Sequence, residues 1–190
     1  MAILNLRNYK EYKNIASNSK DAKHTKIINA VNSYIPIYCN RNFTDYYATD
    51  KVEYFDGTVD EIYPKEIPII SVTSLEYSTN AGQNYLALTE YAQFNIDYNL
   101  DRIVSVYSQF IDTAYPINSL KLTYKGGFEE YPEDIVQAAV SLVEYFDEEN
   151  YTLRKSLAGA SQDNVIIPDK TAVLPPHIRR VLEMYRVIAL

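Results

Sequence analysis

The apolar residues Ile27, Ile28, Val31, Tyr34, Ile35 and Tyr38 fall at steps of three and four, the spacing that places side chains on one face of an α-helix. It predicts an amphipathic core helix over about residues 21–39, with Ser19 or Asp21 placed to cap it. Pro36 comes near the end of that segment, where a proline kinks or tightens the last turn rather than abolishing the helix. A shorter pattern, Ile3, Leu4, Leu6, Tyr9, Tyr12 and Ile15, predicts a short helix before it. From Arg41 to Gly127 the period changes to two, with turn residues at regular intervals, as antiparallel strands require. The strand candidates are Val52–Asp56, Ile69–Ser78, Tyr91–Tyr98, Arg102–Tyr107 and Ser119–Lys125, with Asn99, Leu100 and Asp101 as a hairpin turn. Pro64 and Pro68 flank the approach to the second strand, where a missing amide does no harm at an edge or a strand start.

The helical period returns after Gly126 and Gly127. Pro132 sits in the first turn of a helix whose acids Glu129, Glu130, Glu133 and Asp134 suit its positive end. Its expected buried stripe is Ile135, Val136, Ala139, Val140, Val143 and Phe146, which frames a core with residues 21–39. Residues 152–173 hold Ser156, Gly159, Ser161, Asn164 and Pro168 and show no sustained period, so they read as a long arm that serves a partner or lies disordered. Pro175 and Pro176 start a terminal helix with Ile178, Val181, Leu182, Tyr185 and Ile188 on one face and Arg179, Arg180, Glu183 and Arg186 on the other. The fold class expected is α+β: a small bundle of N-terminal and C-terminal helices with an inserted antiparallel β region and an extended C-terminal arm. In domain terms, residues 1–150 form one unit (helical core 1–40 and 130–150, β insertion 41–127), and residues 151–190 add the arm and terminal helix.

The 190 residues are 47% hydrophobic and 23% charged, ordinary for a folded domain. No apolar run approaches the roughly 20 residues of a membrane span, and Met1 to Lys10 lacks the layout of a signal peptide. A soluble, non-exported chain with no membrane partner is expected. The formal charge of -7 is unevenly spread: residues 1–26 hold six basic and two acidic side chains, residues 27–150 six and twenty, residues 151–190 six and three. An acidic middle repels phosphate, because DNA affinity comes largely from Lys and Arg displacing condensed counterions. DNA binding as the main task is therefore disfavoured. Nineteen tyrosines and no tryptophan supply rings suited to subunit contacts, although an AT-rich genome gives the same composition.

Little in the chain suggests chemistry. Cys39 is the single cysteine, which excludes an internal disulfide, and with only His24 and His177 beside it no thiolate or imidazole metal cluster is expected. Cys39 ends an apolar stripe and reads as a small buried hydrophobe. His24 lies about 22 Å from it along a straight helix, too far for a dyad. His177 reads as a surface or interface residue. The acids at Asp60-Glu61, Glu129 to Asp134, and Glu144 with Asp147, Glu148 and Glu149 read as solvated faces and dipole partners. Gly126-Gly127 lacks the lysine and hydroxyl residue of a phosphate-cradling loop and reads as a turn. No catalytic residue, metal or cofactor is expected.

Three stretches carry a likeness: Tyr38-Cys39-Asn40-Arg41-Asn42-Phe43; Ile67-Pro68-Ile69-Ile70-Ser71-Val72-Thr73-Ser74-Leu75; and Leu120-Lys121-Leu122-Thr123-Tyr124-Lys125-Gly126-Gly127-Phe128, followed by Pro132, Asp134-Ile135 and Ala138. In order and spacing they resemble the head-tail connector (adaptor, or head completion) family of tailed bacteriophages. The first is similar to that family's helix closing on an aromatic and an Arg-x-Phe, the second to its Pro-Ile-x-Ser-Val strand, the third to its strand, glycine turn and proline-started helix. The resemblance makes Arg41, Phe43, Pro68, Tyr124, Gly126, Gly127, Pro132 and Ala138 the motif residues. It implies a virion protein assembled in the host cytoplasm, with no enzyme activity, forming a homo-oligomeric ring of about a dozen copies around the DNA channel. It also implies partners: a portal protein above, a tail completion, terminator or stopper protein below, and DNA that passes without specific binding. The C-terminal segment would supply portal or partner contacts, with Ile178, Arg179, Arg180, Leu182, Tyr185, Arg186, Ile188 and Leu190 as candidates.

The charge pattern points the same way, because a wall of carboxylates offers passing DNA no counterion-release gain. The plainer reading is that these acids only solvate a surface. The terminal helix likewise has two readings: its apolar stripe packs back on its own domain, or it docks in a partner groove. A closed ring needs two different patches that fit each other, and the basic N-terminal segment or basic terminal helix could meet an acidic surface on a neighbour or the portal. A carbohydrate- or host-binding module, suggested by the tyrosines and the β insertion, is the second reading, and an enzyme the third.

Overall fold

The apolar steps of residues 21–39 do produce a helix, and its neighbours decide which residues it buries. The computed structural model describes residues 2–80, 82–147 and 174–187, which fall into two units: Arg41–Tyr131, and Ala2–Asn40 together with Pro132–Leu190. The β unit is thus inserted in sequence between the two halves of the helical unit. The expected arm at 151–173, and the candidate contacts Ile188 and Leu190, lie outside the described residues.

The helical unit begins with α1 (Leu6–Tyr12), started by the Asn5 side chain accepting from the Asn8 amide at 2.8 Å. In α2 (Asp21–Cys39), His24, Ile28, Val31, Ile35 and Cys39 are buried in steps of four, three, four and four. The cap differs from expectation: Lys20 is the N-cap and its side chain makes no capping bond, Asp21 lies in the first turn, and the Ser19 hydroxyl is shared with Ser17. The helix passes through Pro36 and ends at Asn40, which takes the left-handed conformation (φ 54°) that asparagine tolerates. Asn32 ties the chain start to this helix by accepting from the Leu4 amide at 3.0 Å and donating to the Leu4 carbonyl at 2.8 Å.

In α3 (Glu133–Asp147) the buried residues are Ile135, Ala138, Ala139, Val140, Leu142 and Val143. Val136 and Phe146, expected in the stripe, are half-buried instead. The reason is that α3 packs against both α2 and α4 (Pro176–Met184), so its buried arc is wide and brings in Ala138 and Leu142. Ile178 and Leu182 of α4 are buried, the Cys39 thiol donates to the Leu182 carbonyl at 3.5 Å, and the Val187 amide donates to the Cys39 carbonyl at 2.9 Å.

The β unit holds two antiparallel sheets. In the first, β1 (Lys51–Phe55), β7 (Leu120–Gly126), β3 (Ile69–Tyr77) and β4 (Leu86–Ala87) lie in the order β1-β7-β3-β4. In the second, β2 (Glu61–Ile62), β6 (Arg102–Ser105) and β5 (Phe94–Asp97) lie in the order β2-β6-β5. Alternation along β7 puts Leu120, Leu122, Tyr124 and Gly126 inward, and these join Ile62, Ile69, Leu75, Phe94, Ile103 and Phe110 in the core of the unit. The β5–β6 hairpin pairs Asp97 with Arg102 across Tyr98–Asp101, as its turn residues predict. β5 starts three residues later than expected, because Tyr91 has φ +64° and the Gln93 amide turns back to the Thr89 carbonyl.

Candidate functional site

Six of the eight family-motif residues meet in one buried knot of the β unit. Arg41 is 4% exposed; its guanidinium donates to the Ile67 carbonyl and lies over the rings of Phe43 (4.9 Å) and Phe128 (5.4 Å). Ile67-Pro68 is a cis peptide. The Glu66 carboxylate, 1% exposed, accepts from the amides of Asn42 (3.0 Å) and Phe43 (3.3 Å) and from the Lys51 ammonium (3.0 Å). The Tyr124 hydroxyl accepts from the Glu66 amide at 3.0 Å. Two glycines close the knot. A Cβ on Gly126 would run into the Glu66 carbonyl, and one on Gly127, at φ +98°, into the Phe43 carbonyl. The Gly127 amide donates to Pro68 (2.9 Å), and the Phe128 amide to Phe43 (2.7 Å).

Charge in the knot is balanced by contact. Burial alone lowers the Lys51 pKa, but hydrogen bonds and charge from Glu53 (2.6 Å) and Glu66 outweigh it and hold the ammonium above its ordinary value. Burial first, and then the neighbouring Glu53 carboxylate, push the Tyr124 phenol well up, so it stays a neutral partner. Two acids, two bases and a phenol held in contact this way make a packing device of the β unit. Glu66, Lys51 and Glu53 were not singled out from the sequence. The one available signal is that Glu53 occupies an inward register position in a strand, opposite Leu122.

The other two motif residues serve the helical unit. Pro132 opens α3, its carbonyl accepting from the Ile135 and Val136 amides, and Ala138 is buried. Of the candidate contacts, Ile178 and Leu182 face into their own unit and offer no surface to a partner in this state. Tyr185 is half-buried, its hydroxyl 2.9 Å from both Asp134 carboxylate oxygens. The Arg186 guanidinium sits over the Tyr38 ring at 5.5 Å, and Arg179 pairs with Glu183 at 2.7 Å. Arg179, Arg180 and Arg186 are exposed.

The basic N-terminal segment is less available than its charge suggests. Lys10 pairs with Asp21 (2.9 Å), Lys13 with Glu144 (2.6 Å), and Lys20 (3.1 Å) and Lys23 (2.9 Å) with Asp147. His24 is buried with Nε2 3.5 Å from Asp147 and its ring edge-on to Tyr9. The hydrogen bond from Lys23, with those from Lys20 and His24, holds the Asp147 pKa down to about 2. Five of the six N-terminal cations, counting Arg7 with Glu11 (2.9 Å), therefore pair with acids of the same unit. Among the described residues no group of three His, Cys, Asp or Glu side chains could hold a metal ion.

This chain matches the family model for head completion proteins over residues 2–188. It is 32% identical over 62 residues to the head completion protein of Escherichia phage T5, a stretch covering 33% of this chain and 35% of that protein. The fold is similar to a chain in the neck of an empty gene transfer agent (GTA) particle computed with C6 symmetry (TM-score 0.55, 13% identity, 99% of this chain and 91% of that one). It is also similar to one in the neck of the native particle computed with C12 symmetry (TM-score 0.52, 14% identity, 97% and 89%). With six of the eight motif residues gathered in one knot and the match running through both units, the chain belongs to the head completion protein family.

Proposed function

We propose that this chain is a non-enzymatic head-tail connector that assembles in the host cytoplasm into a ring of about twelve copies, sits below the portal, and joins the capsid to the next tail component. The observation that carries the reading is the head completion match over residues 2–188, which spans every element of the fold. Charge supports it: residues 41–131 hold six basic and fourteen acidic side chains, and four of those bases, Arg41, Lys51, Arg102 and Lys121, pair with carboxylates of the same unit. Such a surface lets DNA pass without holding it. The exposed arginines of the C-terminal segment, Arg179, Arg180 and Arg186, are the contact residues this reading retains. The test is native mass spectrometry with negative-stain imaging of the purified chain, alone and with portal added. Rings with a central hole, or a monomer that closes into a ring on the portal, are the expected result. A stable monomer or dimer indifferent to portal would favour a carbohydrate- or host-binding module.

A further inference from the structure

One end of the β unit is a hydrogen-bonded pair of loops carrying apolar side chains into solvent. The β1–β2 and β6–β7 loops are tied together there: the Gly57 amide donates to Pro116 (3.2 Å), Ile111 to Gly57 (2.9 Å), Phe110 to Val59 (3.1 Å), and Asn118 to the Asp56 carboxylate (3.1 Å). Phe110 anchors these loops in the core below. On them stand Ile117 (72% exposed), Tyr115 (58%) and Val59, with Asp56, Asp60 and Asp112 exposed on the same two loops. An apolar patch with an acidic rim suits a partner that offers both cations and soft apolar groups.

The same chain carries such a surface. Because α4 buries Ile178 and Leu182, its outward row is His177, Arg180 and Met184, all exposed, with Met184 at 74%. Arginine stacks on tyrosine and pairs with carboxylates, and a methionine thioether packs well against aromatic rings. The two surfaces are different and complementary in sign, which is what a closed head-to-tail ring requires of each copy.

We propose that the loop end around Val59, Tyr115 and Ile117 of one copy receives the His177, Arg180 and Met184 face of α4 of the next copy. This contact rests on the ring reading above. It is tested in the full-length chain with two charge-reversed variants, Arg180→Glu/Met184→Glu and Asp60→Lys/Asp112→Lys, and with Ile117→Gln as a milder third. Each reversed variant alone should need at least about tenfold more protein to form rings, a loss of roughly 1.4 kcal/mol per contact. An equimolar mixture should recover rings, because the reversed helix meets the reversed loop end and the remaining contact is the natural one. Misfolded variants could not recover in this way. Rings of wild-type stability in both reversed variants and in Ile117→Gln would overturn the contact while leaving the connector reading intact. So would a reversed-helix variant that closes into rings normally and fails only to bind portal. A wild-type chain that forms no ring, with or without portal, would sink both.

Discussion

At the scale of single residues, the knot around Glu66 shows how a polar group can become the most constrained part of a β unit. Its carboxylate is buried, and what makes that tolerable is two backbone amides and the Lys51 ammonium within 3.3 Å. Removing one partner of a buried ionic group leaves the others uncompensated, which typically costs about 3–5 kcal/mol. Glu66→Gln keeps the shape and removes the charge, so we expect a loss of about 3 kcal/mol, read as a lower denaturant midpoint in urea unfolding. A loss under 0.5 kcal/mol, the scale of an ordinary surface substitution, would show that the charge is dispensable. The motif residues around this acid were legible in the sequence because glycine, proline and aromatic residues punctuate a pattern. The acid itself was not, because periodicity treats glutamate and lysine as surface, and nothing in the local spacing marks Glu66, Lys51 and Glu53 as neighbours.

At the scale of elements, the question the sequence left open was what covers the apolar stripe of the terminal helix. The structure answers that Ile178 and Leu182 are buried in the helical unit, and fully burying one such side chain contributes about 1.5–3 kcal/mol. Leu182→Ala should therefore destabilise the isolated chain by about 2–5 kcal/mol in thermal unfolding; no change without a partner present would mean the stripe is held for docking. A second element contact is electrostatic. Asp147, near the end of α3, binds Lys20, Lys23 and His24 of the chain entering and starting α2, and its pKa is held down to about 2 from an ordinary 3.8. A lowered carboxylate pKa adds stability that is present above the unfolded value and lost as pH falls through the folded one. Asp147→Asn should cost about 1–2 kcal/mol at neutral pH once solvent screening is allowed for, and its deficit relative to wild type should shrink from pH 4 towards pH 2. An unchanged deficit across that range would assign the effect to packing. The positions of α2 and α3 were readable because apolar spacing recurs over four or five turns. β2 and β4 were missed because two residues, Glu61–Ile62 and Leu86–Ala87, are too few to show a period of two. The half-burial of Val136 and Phe146 was missed because a spacing gives a stripe's centre, whereas its width depends on how many neighbours a helix has.

At the scale of the molecule, charge separates along the fold. Residues 41–131 carry six basic and fourteen acidic side chains, and the rest of the chain twelve and eleven. Most N-terminal lysines are spent on internal acids, and the exposed arginines among the described residues lie at the two ends of the chain: Arg7 near the start, and Arg179, Arg180 and Arg186 in the C-terminal segment. Proteins that hold DNA non-specifically do so with dissociation constants of about 10⁻⁴–10⁻⁶ M at physiological salt, and they reach that range by neutralising several phosphates at once. A segment 41–131 that is net acidic has no comparable set of cations to align along a backbone. We therefore expect a short DNA duplex to bind this chain more weakly than about 10⁻⁴ M at physiological salt, measured by fluorescence anisotropy, and we expect the ring to remain as weak, because closing it through the acidic loop end occupies Arg180. The two measurements separate causes. Weak binding by the single chain that becomes tight in the ring would mean that assembly aligns basic groups towards the channel, and the acidic unit would then have to face outward. Weak binding in both states is what a passage for sliding DNA demands, since every phosphate contact the wall makes has to be broken again as the duplex advances.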